Sequence, residues 1–478
     1  MDTPEYINAP KEASNEVSKT FFQNASAPRV STDAALFNAI QKEHPSVPIT
    51  VVPDAYANLK SYAAAGHAEI ETIRQNDADQ KIWPDSLRWT IFLPPARRLG
   101  GSNGTLAELT HFESYLYKWN DMSFLVYYAI GRDGVSAYPQ TRNQYILGDK
   151  AAVQALTIAA GRWSSTVHAE VWVFNRGIWM KDRLLFESVQ KSRWEDVILD
   201  EDMKLDLLDT VERFFDSQEQ YDRLRVPWKR GVIFYGPPGN GKTISIKATM
   251  RSLHERKSPV PTLYVKTLIS FVPSVYSIEA IFSKARQEAP CYLVFEDLDS
   301  VVTDNVRSFF LNAVDGISPN DGIFMIGSTN HLDRLDPGIA NRPSRFDRKF
   351  FFPNPSYDQR VQYCKYWQRK LSDNKDVEFP DEICEAVAEI TEKFSFAYIQ
   401  EAFVSALLSI VKDKGRHKAV QKHEMEDLEE AWELLEVADG NADQIATALK
   451  DKDLEDYVLW RNLKRQIEKL RKELREEK

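Results

Sequence analysis

Hydrophobic and polar positions change their rhythm several times along this chain. Residues 1 to about 30 are polar and read as a frayed terminus. From 31 to about 75 the spacing is helical and Ala-rich, as in DAYANLKSYAAAGHAEIETI. Between about 85 and 190 strand-like runs take over. FLVYYAIG is followed by Arg132-Asp133-Gly134, and HAEVWVF by Asn175-Arg176-Gly177 and IWMKDRLLFESV, so the second pair of runs predicts a hairpin. Helical periodicity returns over Glu201 to Phe215. Short apolar runs then alternate with amphipathic stretches to about 353, which predicts a parallel α/β sheet. From about 355 to 440 the pattern is helical throughout. Near the end, Trp460, Leu463, Ile467, Leu470 and Leu474 fall at 3-4-3-4 spacing. That stripe fits a short coiled-coil seam, or a helix packed back on its own chain.

These shifts divide the chain into a polar segment 1–30, an α+β domain 31–190, an α/β domain 191–354, a helical domain 355–445 and a charged terminal helix 446–478. Six of the eleven tryptophans lie in the strand-like stretch 85–190 or just before it, and its aromatics are expected to form core. No chemistry is legible there.

Composition narrows the function. Hydrophobic residues make up 43% and charged residues 28%, which excludes a largely disordered chain. The net charge of −10 gives no global attraction to nucleic acid or anionic membrane. Three cysteines are too few for a disulfide framework. No apolar run approaches the ~18 residues needed to span a bilayer, and the N-terminus carries no signal pattern. A soluble intracellular protein is expected, in cytoplasm or nucleus ahead of mitochondrion.

The chemistry is concentrated in two places. Val232-Ile233-Phe234-Tyr235 runs into Gly236-Pro237-Pro238-Gly239-Asn240-Gly241-Lys242-Thr243, followed by the helical stretch that Ile244 opens. This is GxxxxGK[ST] between a strand and a helix, where glycine-permitted turns aim backbone N–H groups at phosphates. Lys242 is expected on the β- and γ-phosphates and Thr243 on Mg²⁺, so ATP and Mg²⁺ are the implied ligands. The second place is the apolar strand Cys291–Phe295, which ends in Glu296-Asp297. Carboxylates at the C-terminal end of a parallel strand lie beside the phosphate crevice, where one can serve the metal shell and the other the attacking water. Glu296 is assigned to the metal, partly through water.

Over roughly 190 to 440 the chain resembles the AAA family of ATPases. GVIFYGPPGNGKT resembles the Walker A block and YLVFEDLD the Walker B block. Asn330 in GSTNH is similar to sensor 1, Arg342 to Arg348 to the arginine-finger segment, and TEKFSFAYIQEA to the segment opening the helices over the nucleotide. Asp196 and Val197 fall where the family meets adenine. The fold the resemblance implies is a P-loop NTPase α/β domain with a C-terminal helical subdomain, here behind the α+β N-terminal domain. It also implies a homo-oligomeric ring, usually a hexamer, with Lys242, Glu296, Asp297 and Asn330 acting in one subunit and Arg342 and Arg345 reaching into the next. VPWKRGVIFYGPPG and the Glu-Asp order resemble the Rieske-protein-translocase subgroup, whose membrane anchor is not visible here. Phe271 falls where threading members carry an aromatic pore residue, so it is expected either to grip substrate or to pack in the core. The function implied is ATP hydrolysis coupled to remodelling or translocating a protein substrate, recruited with an adaptor through the N-terminal domain. The alternatives are a nucleotide-regulated scaffold with little turnover, or a nucleic-acid remodeller, which the acidic balance disfavours.

Overall fold

The computed structural model describes residue 23 and residues 31–72, 86–95, 103–132, 140–268, 274–315, 319–340, 342, 345–374, 377–416 and 454–476. They form two compact units, Met1–Thr166 and Val167–Lys478.

The first unit is built on an antiparallel sheet. Helix α1 (Thr32–Glu43) precedes β1 (Ile49–Pro53), α2 (Leu59–Ala64) and β2 (Glu69–Thr72). Then come β3 (Ser86–Leu93), β4 (Thr105–Trp119), β5 (Met122–Arg132), β6 (Gln140–Leu147) and α3 (Lys150–Ser165). The strand order is β1-β6-β5-β4-β2, with β3 also on β4. Side chains alternate across the pleat. Tyr115, Tyr117, Phe124, Val126 and Ile146 meet Val153, Leu156 and Ala160 of α3 on one face. Ala129, Tyr145 and Leu147 meet Ile40 of α1 on the other.

One sequence expectation is corrected here. The stretch 31–75 is not helical throughout, because the β-branched run after Pro48 pairs with β6 as β1, and Glu69–Thr72 pairs with β4. The expectation that aromatics form this core holds for Tyr62, Tyr115, Tyr117, Phe124 and Tyr128, with Trp119 and Trp163 packed against them; Trp89 departs from it, being 53% exposed and stacked on His111. Trp83 lies outside the described residues.

The second unit begins earlier than the expected boundary near 190. The predicted hairpin is present as β7 (Val171–Asn175) and β8 (Ile178–Asp182), turning through Arg176 and Gly177, both at positive φ. It does not join the first sheet. β7 pairs in parallel with a strand of the second unit's sheet, at Leu263↔Trp172 and Val265↔Phe174. Local alternation shows that a hairpin forms but not which sheet it extends.

After α4 (Arg183–Gln190), α5 (Glu201–Asp216) and α6 (Gln218–Leu224), strands alternate with helices. The run is β9 (Lys229–Tyr235), α7 (Lys242–His254), β10 (Thr262–Val265), α8 (Ser274–Glu288), β11 (Cys291–Phe295), α9 (Leu298–Val301), α10 (Asp304–Asp315), β12 (Ile323–Thr329), α11 (Pro337–Ala340) and β13 (Arg348–Phe351). The sheet order is β13-β9-β12-β11-β10-β7-β8, parallel except for the terminal hairpin. β11 and β12 are buried along their whole length, as strands covered on both faces must be. The chain leaves β9 for one side and returns beside it through β12 and β13, so a crevice opens at the C-terminal ends of β9, β11 and β12.

A helical layer follows: α12 (Tyr357–Lys370), α13 (Asp381–Ile390), α14 (Phe396–Arg416) and the terminal α15 (Val458–Glu476). The terminal stripe is resolved in favour of packing on its own chain. Trp460, Leu463 and Ile467 are buried with Ile399, Phe403 and Ile410 of α14, leaving no free coiled-coil seam. Among the described residues no helix is long and apolar enough to cross a membrane.

Candidate functional site

Four consecutive buried residues of β9 fix the strand in the sheet, and the chain then turns through Gly236 to Gly241 into α7. Gly236, Gly239 and Gly241 have φ of 139°, 78° and 93°, conformations that side chains resist. At Gly236 a Cβ would also stand 2.3 Å from the Phe352 carbonyl oxygen. Gly241 caps α7 without any side-chain hydrogen bond, so the first-turn N–H groups are presented as an anion seat.

Lys242 is buried, and its Nζ donates to the carbonyls of Gly236 (2.7 Å) and Pro237 (2.8 Å). Burial lowers its pKa to about 8, against the opposing pull of Asp297. Asn240 is buried too. Its Nδ2 donates to Asn354 Oδ1 at 2.8 Å, and Asn354 in turn donates to the Lys393 carbonyl. The loop is thus tied to the helical layer, and the Ala397 N–H completes the tie by donating to the Gly239 carbonyl at 3.2 Å.

Glu296 leaves the end of β11. Its Oε2 accepts a close hydrogen bond from the Tyr264 hydroxyl on β10, while Oε1 is buried with no hydrogen-bond partner. Asp297 is exposed and sits at φ 49°, a left-handed conformation that Asp tolerates better than most residues. Its N–H donates to Ser328 Oγ at 3.4 Å. At the end of β12, Thr329 donates to Asp299 (2.7 Å) and accepts from the His331 N–H (2.9 Å), bracing the turn that carries Asn330.

These elements enclose a cleft of about 410 Å³. Pro238, Gly239, Gly241, Lys242, Thr243 and Ile244 form its floor, and Glu296, Asp297 and Asn330 one end. Asp196 and Val197 line it as the sequence suggests, joined by Ile198. Gly236, Pro237 and Asn240 shape the loop from behind and do not line the cleft.

Sequence reasoning set the segment 391–402 over the nucleotide but did not single out the roof residues, which are Phe396, Ala397 and Gln400 of α14 with Tyr363 of α12. Tyr363 and Phe396 meet edge to face at 5.0 Å. The signal was available in FSFAYIQ, but that segment names the helix and not which of its faces turns toward the loop. A smaller cavity of about 210 Å³ lies alongside, sharing Asp196 and Ile198 and walled by Lys365, Tyr366 and Arg369.

The two arginines are not brought to the cleft. Arg345 is buried and engaged within its own chain. It donates to Asp315 Oδ1 (2.9 Å) and Oδ2 (2.6 Å) and to the Gly338 carbonyl (2.5 Å), and this fork holds the Asp315 carboxyl below its usual range. The expected outward reach of Arg345 is therefore not seen here. Arg342 lies 3.6 Å from the same carboxylate with its side chain 58% exposed. Phe271 lies outside the described residues.

The site fits a magnesium nucleotide on its donor chemistry. Among the described residues no group of three or more His, Cys, Asp and Glu could hold a metal unaided. A hard cation that keeps waters and takes phosphate oxygens needs only a hydroxyl and a carboxylate from protein. Thr243 and the unpartnered oxygen of Glu296 supply those two.

Residues 232–354 match the model of the ATPase family associated with various cellular activities (AAA). The match runs from β9 past β13 and takes in the phosphate loop, the carboxylate pair, Asn330 and both arginines. It supports an ATPase of the AAA type, and with it nucleotide binding.

Proposed function

We propose that the cleft binds ATP with Mg²⁺ and hydrolyses it to ADP and phosphate, in a ring of like subunits that remodels or translocates a protein substrate. The observation that carries this reading is the loop Gly236–Thr243, with three glycines at positive φ and a buried lysine at the start of an uncapped helix, opening into a cleft that ends in Glu296, Asp297 and Asn330. The N–H groups of α7 and Lys242 hold the phosphates, and Asp196 to Ile198 with Tyr363 receive the base. Thr243 and Glu296 would hold Mg²⁺, which would supply neutralisation of the phosphate charge. Asp297 polarises the attacking water and Asn330 orients it. Arg342, with its side chain exposed, is the residue offered to a neighbouring subunit's phosphate. Such an arginine is worth about 10³- to 10⁵-fold in rate. The first unit recruits the substrate or its adaptor.

Steady-state ATPase measured against protein concentration tests the reading. Turnover per subunit should rise with assembly and be lost in Lys242→Ala. In Arg342→Ala turnover should be lost while nucleotide binding is retained. A scaffold with little turnover is the second reading, favoured by the exchanged order of the carboxylates and the exposed, left-handed Asp297. Wild-type turnover no higher than that of Lys242→Ala would establish it.

A further inference from the structure

The carboxylate at position 296 is held by a residue outside every motif singled out in the sequence. Tyr264 lies on β10, one strand over from β11, in register with Val294. Its hydroxyl donates to Glu296 Oε2, which turns the other oxygen, Oε1, into a buried acceptor with no protein partner in a residue that lines the cleft.

We infer that Tyr264 is a positioning residue for the metal-side carboxylate: it tethers one oxygen of Glu296 so that the other stands fixed where a hydrated divalent cation is received with the nucleotide. The inference rests on the magnesium-nucleotide reading of the cleft.

Two features support the tether. Glutamate carries one methylene more than aspartate and one more rotatable bond, so a carboxylate at 296 reaches further and needs a second hold to be precise. Finally, the tether divides the pair. Glu296 is anchored through its side chain, while the Asp297 contact to Ser328 uses only its backbone N–H, which leaves the Asp297 carboxylate to the water side. The exchanged Glu-Asp order and Tyr264 thus form one arrangement, in which the longer side chain is the one with a partner to reach.

The test uses the full chain as Tyr264→Phe, which keeps the ring and removes the hydroxyl. Two quantities are measured: the Kd for ATP in excess chelator, by calorimetry, and the Mn²⁺ concentration that half-saturates the nucleotide-bound protein, by electron paramagnetic resonance. Loss of a partner behind a metal ligand typically weakens metal affinity about 10- to 100-fold. The Mn²⁺ midpoint should therefore rise about tenfold or more, with metal-free ATP affinity within about twofold of wild type. In a Glu296→Gln background, Tyr264→Phe should shift the midpoint no further. Glu296→Asp gives an independent arm, because it keeps the charge but falls short of Tyr264 and should raise the midpoint by a similar factor even if Tyr264→Phe does not fold. An unchanged midpoint in Glu296→Asp, or in folded Tyr264→Phe, overturns the inference. So does an equal loss of metal-free ATP affinity in Tyr264→Phe, which would mark a general distortion of the cleft. A wild-type protein that binds no ATP under any condition defeats instead the nucleotide reading beneath it.

Discussion

Lys242 sets the pH response of the site. Its pKa is lowered to about 8 from 10.5, so between these values the folded chain binds fewer protons than the unfolded one. The cost of burying its ammonium is complete below pH 8 and is relieved as pH rises through the window. A triphosphate acts in the opposite sense, because it needs the charged form. ATP affinity should be flat below pH 8 and fall by about tenfold per pH unit above it. Calorimetry at pH 9, in buffers of different ionisation heat, should register uptake of about one proton per nucleotide. A flat affinity to pH 9.5 with no buffer dependence would remove Lys242 from that role. The two arginines should separate just as cleanly. Arg345→Ala leaves Asp315 and the Gly338 carbonyl without their buried donor and should cost about 3 kcal/mol of stability in chemical denaturation. Arg342→Ala, at an exposed side chain, should change stability by less than about 0.5 kcal/mol.

At the scale of elements, the contact between loop and helical roof is the tightest constraint. A Cβ at Gly239 would fall 2.4 Å from the Ala397 Cβ, at a φ of 78°. Gly239→Ala should therefore spread loop and roof apart and weaken ATP binding about 5- to 150-fold by calorimetry, from strain of about 1–3 kcal/mol. Trp460→Ala removes the largest fully buried side chain of the helical layer and should destabilise it by about 3–5 kcal/mol. Hydrogen exchange along α13 to α15 would locate the loss. What the sequence disclosed follows from how local each signal is. The phosphate loop and the strand before it are one continuous segment whose chemistry needs fixed spacing, so Gly236 to Thr243 could be read directly. Tyr264, Tyr363 and Gln400 could not, because they meet the site only through strand register and helix rotation. The hairpin 171–182 shows the same limit, since its turn was legible and its sheet was not.

For the whole molecule, each unit has a core of its own: tyrosines against α1 and α3 in the first, and in the second two layers about the parallel sheet with the helical cluster beyond. A ligand stabilises only what it binds. In a calorimetric scan, Mg²⁺ and ATP at about 100 times Kd should add about 2.7 kcal/mol to the transition of 167–478 and leave that of 1–166 in place. A shift shared equally by both transitions would show that the units unfold as one.

The backbone link from Ala397 to Gly239 has a mechanical corollary. That amide opens a rod of 21 residues, about 31 Å long, whose flank carries the terminal helix. If γ-phosphate loss let the loop settle and the rod pivot at that peptide by about 10°, its far tip would sweep about 5 Å, roughly one helical turn. A change confined to the phosphates would then become a displacement of several ångströms at the far tip, geared by nothing more than the length of one helix.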